Sequence, residues 1–382
     1  MNQHLKALLD HLSATLDATR QVEIEELHRR ALSWLPVRRL PVVMSYPLPA
    51  DARYKPFPHR EVFGDPEKML FNELTYAFNT SIACRDRLAD DLPCTVRANF
   101  GTVLIASQFG AEVGQFDDNP PWIMNRDEKD VSLEAVVASD PLDFSQGWCP
   151  RVIEMYEYFQ DTLHAWPGLQ RLIKVVLPDM QSPFDNLELI VGSSVFVEMR
   201  TQPALVSRAL HAVALAQVGF ARRLAQFVTD GPDGFAHQHA TMIRGRILLR
   251  DDSAILMSPA MYRDQIAPRD EFVLRELGGG GIHCCGKVDL HAKAFLERDA
   301  LQSFDFGQSE QNDVLAFHQL ANERRIGLVR VAATEQELCS GEILQRFPTG
   351  VSLIHRAESF ESAQRVMNGY LRGVEKVKPA GS

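Results

Sequence analysis

The chain has 382 residues, 45% of them hydrophobic and 24% charged, with a net charge of -10. That makeup belongs to a globular protein able to bury a large core. Nucleic acid demands phosphate-neutralising patches of lysine and arginine, and neither the charge balance nor any local basic run supplies one, which argues against a nucleic-acid partner. The six cysteines are irregularly spaced and do not read as a disulfide framework. The first 35 residues are amphipathic rather than leader-like, so a cytoplasmic location, no membrane segment and reduced thiols are the expectation.

Leu5, Leu8, Leu9, Leu12 and Leu16 recur at helical spacing, as do Ile24, Leu27, Ala31 and Leu35. These predict an N-terminal helical extension over residues 1–38, packed on the outside of the domain. Residues 41–47 read as a buried strand bounded by prolines, and 49–65 as a long loop. A helix follows from Pro66 to about Thr80, with Asp65 as N-cap. Residues 94–123 suggest strands joined by tight turns, 144–163 a helix, 172–177 a strand, 179–185 its loop and 203–228 a long helix. Further strands are expected near 234–237, 281–285, 302–306, 326–331 and 351–355, with helices at 259–277, 290–297, 312–323, 335–345 and 361–372. Strands alternating with helices predict a parallel sheet covered on both faces. Eight such units predict an α/β (β/α)8 TIM barrel over 39–376, with a disordered tail at 377–382 and an active site at the C-terminal strand ends.

The stretch richest in chemistry is Gly278-Gly279-Gly280-Gly281-Ile282-His283-Cys284-Cys285-Gly286. On an extended segment His283 and Cys285 share one face and Cys284 takes the other. An imidazole and a thiolate two residues apart form a chelate suited to zinc, although a His-x-Cys also arises by chance in buried strands. Asp252 is a candidate acid. His237 and His239 would share a strand face and could add ligands or a general base. Gln181 and Asp305 fall at expected strand ends, where they could bind substrate, and Tyr46 and Trp122 could wall an apolar pocket.

Taken in order, Met180-Gln181-Ser182-Pro183-Phe184, Gly192, Pro203, the run from Asp252 to Tyr262, Pro268, His283-Cys284-Cys285-Gly286 and Asp305 resemble the uroporphyrinogen decarboxylase superfamily. The chain is most similar to its branch of zinc- and corrinoid-linked methyltransferases, over about residues 40–372. The resemblance implies the same barrel. It also implies an arginine-rich segment at the first strand in decarboxylases, where this chain has only Arg53. In the methyltransferase branch it implies zinc held by His-x-Cys plus one later cysteine, and His283 and Cys285 match the first two ligands. No cysteine follows the eighth strand. His355 is favoured as third ligand by its strand-end position, Cys339 by its ligand type.

The reading that follows is a zinc-dependent methyltransferase, with the corrinoid, if used, on a separate partner protein. Its candidate catalytic residues are Asp252 and His239, and Tyr46, Arg53, Gln181, His237 and Asp305 are its candidate contacts to a small-molecule substrate. A decarboxylase of a small or tetrapyrrole-like acid and a non-catalytic tetrapyrrole- or corrinoid-binding barrel stay open beside it.

Overall fold

In a computed structural model, residues 1–124 and 131–376 are described, and the tail expected at 377–382 lies outside them. Short runs of valine, leucine and isoleucine form the strands, and nearly all are buried. Apart from a small antiparallel pair, Val113–Gly114 with Trp122–Ile123, those of the described residues are β1 (Val42–Ser45), β2 (Thr95–Val96), β3 (Lys174–Val175), β4 (Met180–Gln181), β5 (Phe235–Gln238), β6 (Thr241–Arg244), β7 (Ile247–Arg250), β8 (Gly280–Cys284), β9 (Leu301–Phe306), β10 (Gly327–Ala332) and β11 (Val351–Arg356). Seven of them join in one parallel sheet ordered β1-β11-β10-β9-β8-β7-β4, and β2 pairs in parallel with β3, which leads through residues 176–179 into β4. This is a TIM-like α/β arrangement. At the β1 edge side chains replace a neighbouring strand: Val42 N donates to Asp91 Oδ2 at 3.0 Å and Met44 N to Asp90 Oδ2 at 2.9 Å.

The helices include α1 (Gln3–Thr15), α2 (Ala18–Leu32), α3 (Pro66–Thr75), α4 (Pro183–Val191), α5 (Pro203–Leu224), α6 (Glu335–Ser340) and α7 (Phe360–Lys376). Helix α1 buries Leu5, Leu8, Leu9 and Leu12. Helix α2 lies beneath the strands rather than outside them. Gly350 N donates to Ala31 O at 2.9 Å, and Trp34 Nε1, just past the helix, reaches Ile326 O at 3.2 Å, so this segment meets the N-terminal ends of β10 and β11. Helix α3 starts as expected, with Asp65 Oδ1 accepting from Glu67 N and Lys68 N, and stops at Thr75. Helix α5 is long and apolar enough to cross a bilayer by length and composition, but most of its apolar window is buried inside the fold.

The strand expected at 172–177 is shorter and shifted, because a helix takes Leu172 and the ladder resumes at Met180. Residues 94–123 contribute only β2 to a parallel pairing, and Leu104–Gln108 is helical. In place of a lone strand near 234–237 there is an antiparallel hairpin of β5 and β6, followed almost at once by β7, which the alternation reading passes over. The hairpin turn is His239-Ala240, with φ of +49° and +60°. Two consecutive positive φ values are normally met by Asn-Gly, so this His-Ala turn carries backbone strain of the kind that collects at functional sites. The hairpin leans on the main sheet, where Arg244 N donates to Ser303 Oγ of β9 at 2.8 Å. The glycine run serves this packing: a Cβ on Gly280 would meet Ile247 O at 2.4 Å.

Candidate metal and substrate site

The C-terminal ends of β7 to β10 bring together side chains that are far apart in sequence. Asp305 of β9 is the hub. Its Oδ2 lies 2.8 Å from His239 Nδ1 and 2.9 Å from His283 Nδ1, while Arg330 donates from Nε to Oδ1 at 2.7 Å and from Nη2 to Oδ2 at 2.9 Å. Burial works against this charge, yet Arg330 and His283 outweigh it and hold Asp305 well below the usual carboxylate range. An ionised carboxylate only accepts, so each imidazole turns an Nδ1–H toward it and keeps its lone pair on Nε2.

That lone pair of His283 faces Cys285 Sγ at 3.3 Å and Asp252 Oδ1 at 3.7 Å. Asp252 Oδ1 in turn accepts from Cys285 N at 2.7 Å. Gly307, just past β9, makes room for the thiol, since a Cβ there would come within 2.7 Å of Cys285 Sγ. Cys284 is buried on the opposite face, its Sγ directed at Cys285 O.

Two sets of donor atoms lie mutually within 4.8 Å: Asp252, His283 and Cys285, and separately His239, His283 and Asp305. In the second set both carboxylate oxygens already receive hydrogen bonds from Arg330. The first set is the better seat, with one nitrogen, one sulfur and one oxygen, and the Asp305 carboxylate orienting the imidazole from behind. Burial first and the Asp252 charge second push the Cys285 thiol up to about 12, so its protein neighbours do not ionise it and only a bound cation would. The residues present would therefore fit a metal ion that accepts nitrogen, sulfur and oxygen donors.

His239 Nε2 contacts Arg250 and lies 3.3 Å from Asp179 Oδ1, which Arg250 approaches to 2.7 Å and Arg97 also contacts. Burial, helped by Arg250 and Arg330, pushes His239 down to about 4 and keeps it neutral. Beside this network is a cavity of about 180 Å³ lined by Ser45, Phe78, Thr80, His239, Arg330 and Arg356 among others. Phe78, Asn79, His239, Ala240 and Arg330 all line it and all have positive φ, so much of the strained non-glycine backbone is gathered at one cavity.

A solved methyltransferase from Methanosarcina mazei has this fold. It superposes with a TM-score of 0.61 at 15% identity, covering 92% of this chain and 98% of that one. No protein-family profile matches the chain, and no curated protein matches it by sequence. At that identity the likeness speaks for the fold.

The structure brings His283, Cys285, Asp252, Asp305 and His239 into one cluster and leaves the other sequence candidates outside it. His355 is occupied with Ala333 O at 2.8 Å and joins neither donor set, because β10 and β9 stand between its strand and β8. Cys339, on α6, has its Sγ 3.9 Å from Val366 O of α7, a helix-to-helix contact. Asp252, and neither of these two, has its donor atom beside those of His283 and Cys285. His237 does not share a face with His239, because the strand ends at Gln238 and the turn swings the next side chain away. It pairs instead with Asp230 at 2.5 Å, with Glu25 of α2 at 4.0 Å. Tyr46 packs edge-on against Phe360 of α7, and Arg53 is exposed over the ring of Tyr54. Gln181 is buried on β4, its carbonyl accepting from Asn186 and Gln217. Trp122 is exposed.

Sequence reasoning missed Arg97, Asp179, Arg250 and Arg330. Three of them end or interrupt an apolar run, Val96-Arg97, Leu248-Leu249-Arg250 and Leu328-Val329-Arg330. A charge at the end of a buried strand was the signal available.

Proposed function

We propose that the chain is a zinc-dependent methyltransferase of the uroporphyrinogen decarboxylase-like kind, on a closed eight-stranded barrel. It would move a methyl group between a small methylated compound or a methyl-corrinoid partner protein and an acceptor at the mouth. The observation that carries this reading is the convergence of His283 Nε2, Cys285 Sγ and Asp252 Oδ1, with His283 fixed from behind by Asp305. Zinc held by these three would act as a Lewis acid and keep a bound thiol ionised near neutral pH. The chain's own part is to orient. Asp305 selects the tautomer of His283, Asp252 steadies the backbone of Cys285, and neutral His239 holds the far side of Asp305. Arg330 and Arg356, facing the cavity, suit a substrate with an anionic group.

One observation favours a second reading, a carboxy-lyase acting on a small acid. Arg97, Arg250 and Arg330 gather at the mouth with Arg356 beside them, where the sequence offered only Arg53. A cavity of about 180 Å³ is too small for a tetrapyrrole with eight carboxylates, so decarboxylation of uroporphyrinogen is not expected at ordinary enzymatic rates. The deciding experiment incubates the zinc-replete protein with methylcobalamin and a series of small thiol acids. Loss of the cobalt–carbon absorption with formation of the thioether, absent in Cys285→Ser, is the expected result. Carbon dioxide release from small acids without methyl transfer would replace this reading with the second, and no turnover of either kind would leave a binding barrel.

A further inference from the structure

Beside α3, the long loop at 49–65 encloses a second cavity, of about 330 Å³, walled by Phe57, Phe63, Tyr76 and Met69. Its ionisable lining is Glu73, Asp118 and His59, and no described lysine or arginine lines it. Lys68 approaches the Phe57 ring at 5.3 Å but is held by Glu61 Oε2 at 2.8 Å. Glu73 is 6% exposed, and burial, which Arg97 only partly offsets, raises its carboxyl above the usual range, so a cation in the cleft would favour its charged form. Asn99 Nδ2 donates to it at 3.2 Å, while Arg97 Nε stands off at 3.6 Å and the same guanidinium serves Asp179.

These features select a ligand class. An anion would meet two carboxylates and no lining cation. A bare metal ion would find no set of three donors among the described residues, because neither acid belongs to one there. A neutral apolar molecule would cover Glu73 without compensating it. An ammonium ion wrapped in methyl groups satisfies all of the lining at once, with methyls against the aromatic and thioether walls and positive charge toward the ring faces and Glu73.

We propose that this cleft binds a methylated or otherwise alkylated ammonium ion. Glu73 also lines a narrow neck, of about 20 Å³, together with Arg97, Phe78 and His239, and the last two of these line the arginine-bearing cavity. The cleft thus adjoins the reaction site without being part of the metal seat, and the proposal stands independently of the metal reading.

The test is calorimetric titration of the full chain with choline and with the uncharged dimethylbutanol in which carbon replaces the ammonium nitrogen. Choline is expected to bind saturably, and the alcohol at least about tenfold more weakly. Glu73→Gln and Phe57→Leu are each expected to weaken choline about fivefold or more, with zinc content as in the wild type. Phe57, half-buried in the loop, gives a reading if Glu73→Gln does not fold. Equal affinity for the alcohol, undiminished choline binding in the variants, or no saturable binding at all overturns the proposal.

Discussion

Two groups of buried acids flank the turn that carries Asp252, and they have opposite fates. Asp305 is met by a guanidinium and two imidazoles, its neighbour in the network Asp179 by two guanidiniums and an imidazole, and both stay fixed anions. On the face of β8 that carries Cys284, three acids, Asp185, Asp251 and Asp270, are buried too, but one guanidinium, Arg298, serves only the last two of them. Arg298 Nη1 lies 3.0 Å from Asp270 Oδ2. Burial, with Asp251 adding repulsion, holds Asp270 and Asp185 well above the usual carboxylate range. Burial also raises Asp251 to about 6, although Arg298 pulls the other way. One cation for three acids leaves protons in place, so the supply of donors, and not depth, decides which carboxylate is charged. The two groups accordingly divide the work. Asp305 orients the imidazoles, and Asp185 holds the turn that carries Asp252 by accepting from Asp252 N at 2.8 Å and Ser253 N at 3.1 Å.

The contrast breaks most visibly at its charged end. Asp305→Asn strips Arg330 of its partner inside the fold and should cost about 3–5 kcal/mol in urea unfolding, with most of the zinc lost. A pH series sharpens the other end. Asp251 has a folded pKa of about 6 against an ordinary 3.8, so its folded form holds a proton that the unfolded chain has released. Its contribution is fully present below about pH 4 and is lost as pH rises through 6, on the order of 2–3 kcal/mol in all. Asp90 also rises to about 6, so the wild type is compared with Asp251→Asn, whose profile should be flatter across that window. Asp270→Asn replaces an acid that keeps its proton with a neutral amide and should cost only about 1 kcal/mol. A loss as large as that of Asp305→Asn would show that Asp270 is an anion. The smallest effect is expected outside both groups. His355→Ala and Cys339→Ala should leave zinc affinity nearly unchanged in a chelator competition, while Asp252→Ala weakens it tenfold or more.

The parallel α/β plan was legible because helices and strands carry their periods in nearest neighbours. The same holds for His283 and Cys285, since two residues on an extended chain share a face whatever surrounds them. The hub around Asp305 was not legible. Its partners come from β8, β10 and the hairpin turn, and convergence of that kind follows from sheet order, which no local pattern encodes. His239 was misjudged for a local reason: its turn lacks the Asn-Gly that announces a hairpin, so the segment read as a plain strand and put His237 beside it. The short strands β2, β3 and β4 were blurred because two residues are too few to show a period, and prolines around β4 imitate a loop.

The account rests on a metal seated between His283 and Cys285, and elemental analysis of the protein purified under reducing conditions tests it directly. The wild type should carry about one zinc per chain, Cys285→Ser should lose most of it, and Cys284→Ser should keep it, because only Cys285 faces the His283 imidazole. A metal-free wild type, or equal loss in both variants, would contradict the account.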